Sequence, residues 1–289
     1  FRFRQVNNAL RILISNDDGA FNPALWAMVE AIKDLGDVIV SAPDRDRSGV
    51  GAGLTLNDPL RAKLINSPVS GVEAWGVEGT PGDAVILGLK QLSTEPVDLV
   101  LCGMNPGNNV GADLTVSGTI GAALQGYLNG VATAAISVAL LADADDPVIG
   151  AAVHDLAKSM LDHVATLGLD EPKPFVNVNF PKVSDGPYKG AMVAAPSKRT
   201  PGASDEVETE VRGVRTIYWI KRPPSALNAA SQSDPDTDVW AMRNSWVSLT
   251  PLDGGLTTIS PKGFANEAVK ALNRSVMDNA SQQTEQSAG

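Results

Sequence analysis

The sequence predicts an α/β fold, a mostly parallel sheet flanked by helices. Three observations lead there. Short apolar runs alternate with helix-length segments up to about residue 180, the pattern of successive βαβ units. The run Val97–Cys102 is apolar throughout, as in a strand buried on both faces. Of the 289 residues, 43% are hydrophobic and 19% charged, enough apolar surface for a large core.

The elements follow in order. Leu10–Ser15 is the first predicted strand. Pro23–Leu35 reads as a helix, with Pro23 suited to its first turn, Leu25, Met28, Val29 and Ile32 as an apolar stripe, and Gly36 as its stop. Strands are expected over Val38–Ala42 and Ala74–Val77, then a helix from Pro81 to about Leu92. After Val97–Cys102 come a helix over Gly118–Leu128, a strand over Ala134–Leu140, a long helix over Val148–Leu167 and a strand over Phe175–Phe180.

Beyond Pro181 the character changes. Ser184–Ser233 is rich in Gly, Pro, Ser and charge, with strand-like pieces at Gly190–Ala195 and Thr216–Lys221, and reads as extended hairpins or a projecting arm. Val247–Pro251 is a last strand. Lys262–Met277 reads as a terminal amphipathic helix on Phe264, Val269, Leu272 and Val276. The expected organisation is a leader or remnant over 1–9, a catalytic core over 10–182, a C-terminal extension over 183–278 and a disordered tail over 279–289.

The net charge of −10 argues against nucleic acid or an anionic membrane as the main partner. An acidic protein that handles phosphate needs a local inversion of sign, which a metal ion supplies. Cys102 is the single cysteine. It excludes an intramolecular disulfide and a Cys-rich zinc site, and as the end of an apolar run it reads as a buried, inert thiol. There is no apolar stretch of about 18 residues and no signal-peptide pattern, so the cytoplasm is the expected location.

The chemistry starts where the first strand ends, in Asn16-Asp17-Asp18-Gly19. Adjacent acids at a buried strand end repel each other, and a bound cation relieves the repulsion. In an open parallel sheet the strands' carboxyl ends line one edge, where ligands bind. Two more strand ends bring polar loops there, Ala42-Pro43-Asp44-Arg45-Asp46-Arg47-Ser48-Gly49 and Gly103-Met104-Asn105-Pro106-Gly107-Asn108-Asn109. Carboxylates, a hydroxyl and amide carbonyls without Cys or His suit Mg²⁺, Mn²⁺ or Ca²⁺.

The third loop leads into Thr115-Val116-Ser117-Gly118-Thr119, where a helix should begin. Ser117 is a natural N-cap, and the free N–H groups of that first turn attract an anion. A metal facing such a helix start receives a phosphoryl group. Ser117, Gly118 and Thr119, with Gly49, are the expected phosphate contacts, the alternative being that Ser117 and Thr119 are simple helix caps. Asn16 either touches the phosphate or braces its loop, and Asn109 either meets substrate or stabilises its Gly-rich turn. Arg45 and Arg47 either neutralise phosphate or pair with Asp44 and Asp46. His154 and His163 do not have the spacing of an i, i+4 ligand pair and read as ordinary helix residues. Gly49-Val50-Gly51-Ala52-Gly53 lacks the spacing of a dinucleotide loop, and there is no Walker lysine or G-x-S-x-G elbow.

In order along the chain, SNDDG, APDRDRSG, EGTPGDAV, GMNPGNNVG, VSGTIGAALQG and TDVWAMRNSWVSLTPL resemble the landmarks of the SurE family, metal-dependent 5′/3′-nucleotidases. The resemblance runs from about Arg11 to Thr258. It implies a Rossmann-like core, a swapped C-terminal element, homodimers or homotetramers, and one Mg²⁺ or Mn²⁺ held by Asp17, Asp18, Ser48 and Asn105. It implies phosphomonoester hydrolysis of nucleoside monophosphates, with Asp17 and Asp18 catalytic and either water or Asp17 as the attacking group. The alternatives are a broad-specificity acid phosphatase and a catalytically silent metal- or nucleotide-binding protein of the same fold.

The chain departs from the family at Ala84, often a cysteine, and at Gln125, often an acid. It also has Asp253 where many bacterial members have a histidine. If that histidine protonates the leaving group, Asp253 replaces it only with a raised pKa, and otherwise another donor acts.

Overall fold

The computed structural model describes residues 10–168, 171–198, 206–221 and 234–254. The strands are β1 (Arg11–Ser15), β2 (Asp37–Pro43), β3 (Ala62–Leu64), β4 (Glu73–Val77), β5 (Leu99–Pro106), β6 (Ala132–Val138), β7 (Phe175–Phe180), β8 (Ala191–Val193), β9 (Glu206–Arg212), β10 (Arg215–Lys221) and β11 (Val247–Pro251). The helices are α1 (Pro23–Ile32), α2 (Pro81–Leu87), α3 (Gly118–Leu128), α4 (Pro147–Thr166) and α5 (Asp238–Arg243).

Nine strands form one sheet in the order β3-β4-β2-β1-β5-β6-β7-β11-β8. From β4 to β7 every pairing is parallel. Alternation along β1 shows why its run is apolar without a break. Ile12 and Ile14 enter the core layer under α1 and α4, whereas Leu13 faces the α2 and α3 layer. Both layers bury their side chains completely at the centre, which accounts for the unbroken hydrophobicity of β1 and β5.

Local chemistry fixes the helix starts. Asn22 caps α1 by accepting from the Ala24 N–H at 2.8 Å, with Pro23 in the first turn. Thr80 and Asp83 form a reciprocal capping box at α2. Asp146 caps α4. Each start therefore lies at a cap, and α1 begins at the predicted Pro23.

The differences from expectation are informative. Strand β5 runs past Cys102 to Pro106, with a register shift against β6 between Cys102 and Asn105. A shift of this kind re-aims side chains at a strand end, and it carries Asn105 to the sheet's edge. The helix expected from Pro81 to about Leu92 is α-helical only to Leu87 and ends in a π turn, Gly88–Leu92. Strand β3 and helix α5 are too short for periodicity to reveal. Strand β9 alternates Glu with Val and Thr, and its charge masked it.

The expected boundary at 182/183 does not coincide with the sheet. Strands β8 and β11 extend the central sheet beyond β7, with β11 antiparallel to β7. Only β9 and β10 stand apart, as an antiparallel hairpin from Glu206 to Lys221. That hairpin is the projecting arm, and it exposes Val207, Val211, Tyr218, Trp219 and Ile220. The leader, the helix over Lys262–Met277 and the tail over 279–289 lie outside the described residues.

Candidate functional site

The carboxyl ends of β1, β2 and β5 meet at one edge around a cavity of about 240 Å³. Among the predicted residues, Asp17, Asp18, Ser48, Gly49, Asn105, Asn109 and Ser117 line it. Asn16, Gly118 and Thr119 do not; they stand behind the lining.

Asp17 is almost wholly buried, 4% exposed. One of its oxygens, Oδ1, accepts from the Thr119 hydroxyl at 2.6 Å. Burial pushes its pKa up, the Thr119 bond opposes that, and the nearby Asp46 carboxylate adds to the rise. Asp18 is half-buried, and its pKa is raised to about 7, first by burial and then by the charges of Asp17 and Asp46. Its Oδ2 atom is buried without a hydrogen-bond partner. An orphaned carboxylate oxygen beside a second acid is a deficit of positive charge.

The other loops add neutral oxygens. The Ser48 N–H and hydroxyl both donate to Asp46 Oδ1, at 2.7 and 2.6 Å, so the lone pairs of Ser48 Oγ are unspent. The Asn105 amide nitrogen donates to the Gly107 carbonyl, which leaves the amide oxygen as its free end. Two carboxylates, one hydroxyl and one amide carbonyl make an all-oxygen donor set suited to a hard divalent cation. No group of three or more His, Cys, Asp or Glu side chains with metal-binding geometry occurs among the described residues.

Ser117 caps α3 by accepting from the Ile120 N–H at 3.2 Å, so the helix start faces the cavity. Gly118 is required by contact, since a Cβ there would lie 2.7 Å from Asp17 Cβ. Thr119 is fully buried and its hydroxyl is committed to Asp17. Asn16 is also fully buried, and its side chain closes a ring on the Gly19 N–H and carbonyl, both at 3.1 Å. In this geometry Asn16 braces its loop and Thr119 orients an acid.

Asn109 lines the cavity but points its amide nitrogen inward, 3.0 Å from Ser137 Oγ. Its backbone is gripped by Asn177 and Asn179 of β7. Arg45 lies 3.9 Å from Asp44 in a largely exposed pair. Arg47 donates its backbone N–H to the Asp17 carbonyl. His154 sits on α4 beside Asp34, away from the site. Cys102 is buried and its thiol pKa is pushed far up by desolvation, as an inert thiol requires.

Sequence reasoning missed Asp113, a third carboxylate lining the cavity. Its signal was its place in the turn Gly111–Thr115 between Asn109 and the Ser117 cap. Asp253 lies at the other end of the sheet. Ser248 pairs with Asn179 near the site, and β11 then runs away, with Pro251 opposite Val176 and Leu252 N–H bonded to Phe175. Five residues of extended chain put Asp253 about 17 Å from that level. Within one chain it cannot reach a leaving group in the cavity.

A family model described as Survival protein SurE matches residues 12–203. A 5′-nucleotidase SurE of Dehalococcoides mccartyi strain CBDB1 is 38% identical over 245 residues, 84% of this chain and 88% of that protein. One from Pelotomaculum thermopropionicum is 34% identical over 272 residues, 93% of this chain and 100% of its own length. The crystal structure of the SurE protein from Aquifex aeolicus superposes with a TM-score of 0.68 at 32% identity, covering 91% of this chain and 99% of that one.

Proposed function

The chain belongs to the SurE family, and from that premise we propose that it hydrolyses nucleoside monophosphates to nucleoside and phosphate at the Asp17–Asp18 cavity. The observation that carries this reading is the orphaned Asp18 Oδ2 beside Asp17, within an all-oxygen lining that faces the Ser117 helix start. Asp17, Asp18, Ser48 and Asn105 would hold one Mg²⁺ or Mn²⁺, which when bound would supply positive charge against the carboxylates' repulsion and toward the phosphoryl group. The amides of the first α3 turn hold phosphoryl oxygens. Thr119 fixes Asp17, and Asn16 fixes the loop that carries both acids.

Water is the attacking group in this reading. It passes a proton to the Asp18 carboxylate as its oxygen bonds to phosphorus and the ester P–O bond breaks. The leaving oxygen takes the proton that the water gave up, relayed by Asp113, the third carboxyl group lining the cavity. Both 5′ and 3′ esters are substrates in this proposal. The arm, with its exposed Val211, Tyr218, Trp219 and Ile220, supports a homodimer or homotetramer with a swapped C-terminal element. No helix among the described residues is long and apolar enough to cross a membrane. A cytoplasmic location is part of this proposal.

One observation favours broad specificity as a second reading. The 240 Å³ cavity is smaller than a typical site for a whole organic ligand, and no aromatic side chain lines it. It accommodates a phosphoryl group and the adjoining sugar carbon, and leaves the base outside. Phosphate release from nucleoside 5′- and 3′-monophosphates and an aryl phosphate, in chelator and after adding Mn²⁺ or Mg²⁺, tests both readings. Activity should vanish in chelator and return with metal. Full turnover by Asp17→Asn would sink the proposal, and nucleotide binding without phosphate release would mean a silent binding protein.

A further inference from the structure

Asp238 opens α5 and is fully buried. Its carboxylate accepts three backbone N–H groups, from Gly111 at 2.6 Å, Ser197 at 2.8 Å and Val239 at 2.7 Å. Among the described residues no Lys or Arg side chain pairs with it. Burying an anion without a cation is expensive, and charge-assisted bonds to fixed amides are what make it tolerable. An apolar residue in its place would leave the three N–H groups without that acceptor. The three donors belong to segments far apart in sequence, so the carboxylate joins them.

The segments have distinct identities. Ser197 is on the chain leaving β8 for the arm, and Asp238 is on the chain returning from it. These two legs are zipped together by Ala195 N–H to Asp236 and Asp238 N–H to Ala195, both at 2.9 Å. Gly111 belongs to the loop between β5 and α3. Its φ of +57°, and the 2.8 Å that would separate a Cβ from the Ser197 carbonyl, show how closely that loop is pressed against the arm's stem. Val110 is buried with Val239 and Met242 beside it.

The same loop delivers the site. Before Gly111, Asn109 is locked to β7 by Asn177 and Asn179. After it, Val116 and Ser117 both donate to the Asp113 carbonyl, at 3.2 and 3.1 Å, and Gly51 donates to Val116. Asp113 and Ser117 thus follow Gly111 through a tight turn. The Asp238–Gly111 bond is a mid-span tie between the β7 grip and the α3 cap.

We infer that Asp238 is a positioning residue for the reaction, tying the stem of the arm to the loop that presents Asp113 and Ser117. The inference rests on the cavity being the reaction centre. It also means that the arm and the phosphate-facing helix start share one carboxylate.

The test is hydrogen exchange on the full-length protein, with kinetics and Mn²⁺ binding on the same samples. In wild type the Gly111 amide should exchange as slowly as amides of β5. In Asp238→Asn, whose amide group cannot accept at every position the carboxylate serves, amides 110–117 should exchange at least tenfold faster, while β5 and the middle of α3 stay protected. Mn²⁺ affinity and kcat/KM should each fall about 10- to 100-fold, the usual scale for groups that orient a site. Val153→Ala, a core truncation on α4, is the control for lost stability and should leave kcat/KM near wild type.

Wild-type protection of 110–117 in Asp238→Asn would overturn the inference, as would a kcat/KM no lower than that of Val153→Ala. If Asp238→Asn does not fold, the wild-type Gly111 amide decides, since rapid exchange there refutes the bond. Absence of phosphate release by wild type would overturn the activity alone, because the exchange measurement stands without it.

Discussion

Replacing Asp18 by Asn should stabilise the metal-free protein while abolishing its activity. In the folded chain Asp18 titrates at about 7 against a reference of 3.8, because burial and the charges of Asp17 and Asp46 disfavour its ionised form. At about 1.4 kcal/mol per tenfold change in acidity, the full displacement corresponds to about 4 kcal/mol. Asp18 is only half-buried, so solvent screening reduces this to about 1–2 kcal/mol. The folded pKa lies above the unfolded one, so stability is greatest at low pH. It is lost as pH rises from about 4 through about 7, where the unfolded chain releases its proton first.

Thermal unfolding in chelator at pH 5 and pH 8 reads this directly. At pH 8, Asp18→Asn should melt about 2–8 °C above wild type, given about 2–4 °C per kcal/mol for a large domain. At pH 5 the gap should shrink, because wild-type Asp18 is then largely protonated. Saturating Mn²⁺ should reverse the order, since an ion at 100 times its Kd stabilises wild type by about 2.7 kcal/mol and the variant by less. If the variant is no more stable than wild type at pH 8 in chelator, or gains as much from Mn²⁺, the electrostatic account of the paired acids is wrong.

Thr119→Val keeps the shape and removes the 2.6 Å hydroxyl bond to Asp17. It should cost about 1–3 kcal/mol in chemical denaturation, with kcat/KM lowered about 10- to 100-fold. Gly118→Ala should be inactive despite the better helix propensity of Ala, worth about 1 kcal/mol, because the new Cβ meets Asp17 at 2.7 Å. Steady-state kinetics and the melting temperature together separate that clash from unfolding. Asp113→Asn should slow hydrolysis of nucleoside monophosphates at least tenfold, yet spare aryl phosphates whose leaving group needs no proton. Equal losses on both substrate classes would remove Asp113 as the donor.

Legible in the sequence were the parallel strands β1, β2, β4, β5, β6 and β7, the helix starts at Pro23, Pro81 and Gly118, and the oxygen character of the three loops. Those properties are local. An apolar run such as Leu99–Cys102 must be buried, Asn22, Thr80 and Ser117 supply the caps that begin helices, and Asp17-Asp18 repel wherever the strand ends. What each polar side chain faces was not local. Thr119 reads as a phosphate contact near Ser117, but two residues further along the helix start its hydroxyl turns onto Asp17, 102 positions away in the chain. Asn109 looks like a ligand-facing amide until β7 brings Asn177 and Asn179 against it.

The positions of Asp253 and Asp238 follow from how distant segments pack. The antiparallel course of β11 removes Asp253 from the catalytic edge, and strand direction is set by the connections around it rather than by TPLD itself. The return of the arm beside Ser197 brings Asp238 within 2.6 Å of Gly111 across 127 residues of chain. Residue types and caps report their own neighbourhood. The partner of a buried carboxylate depends on how distant segments pack, and that information is distributed over the whole chain.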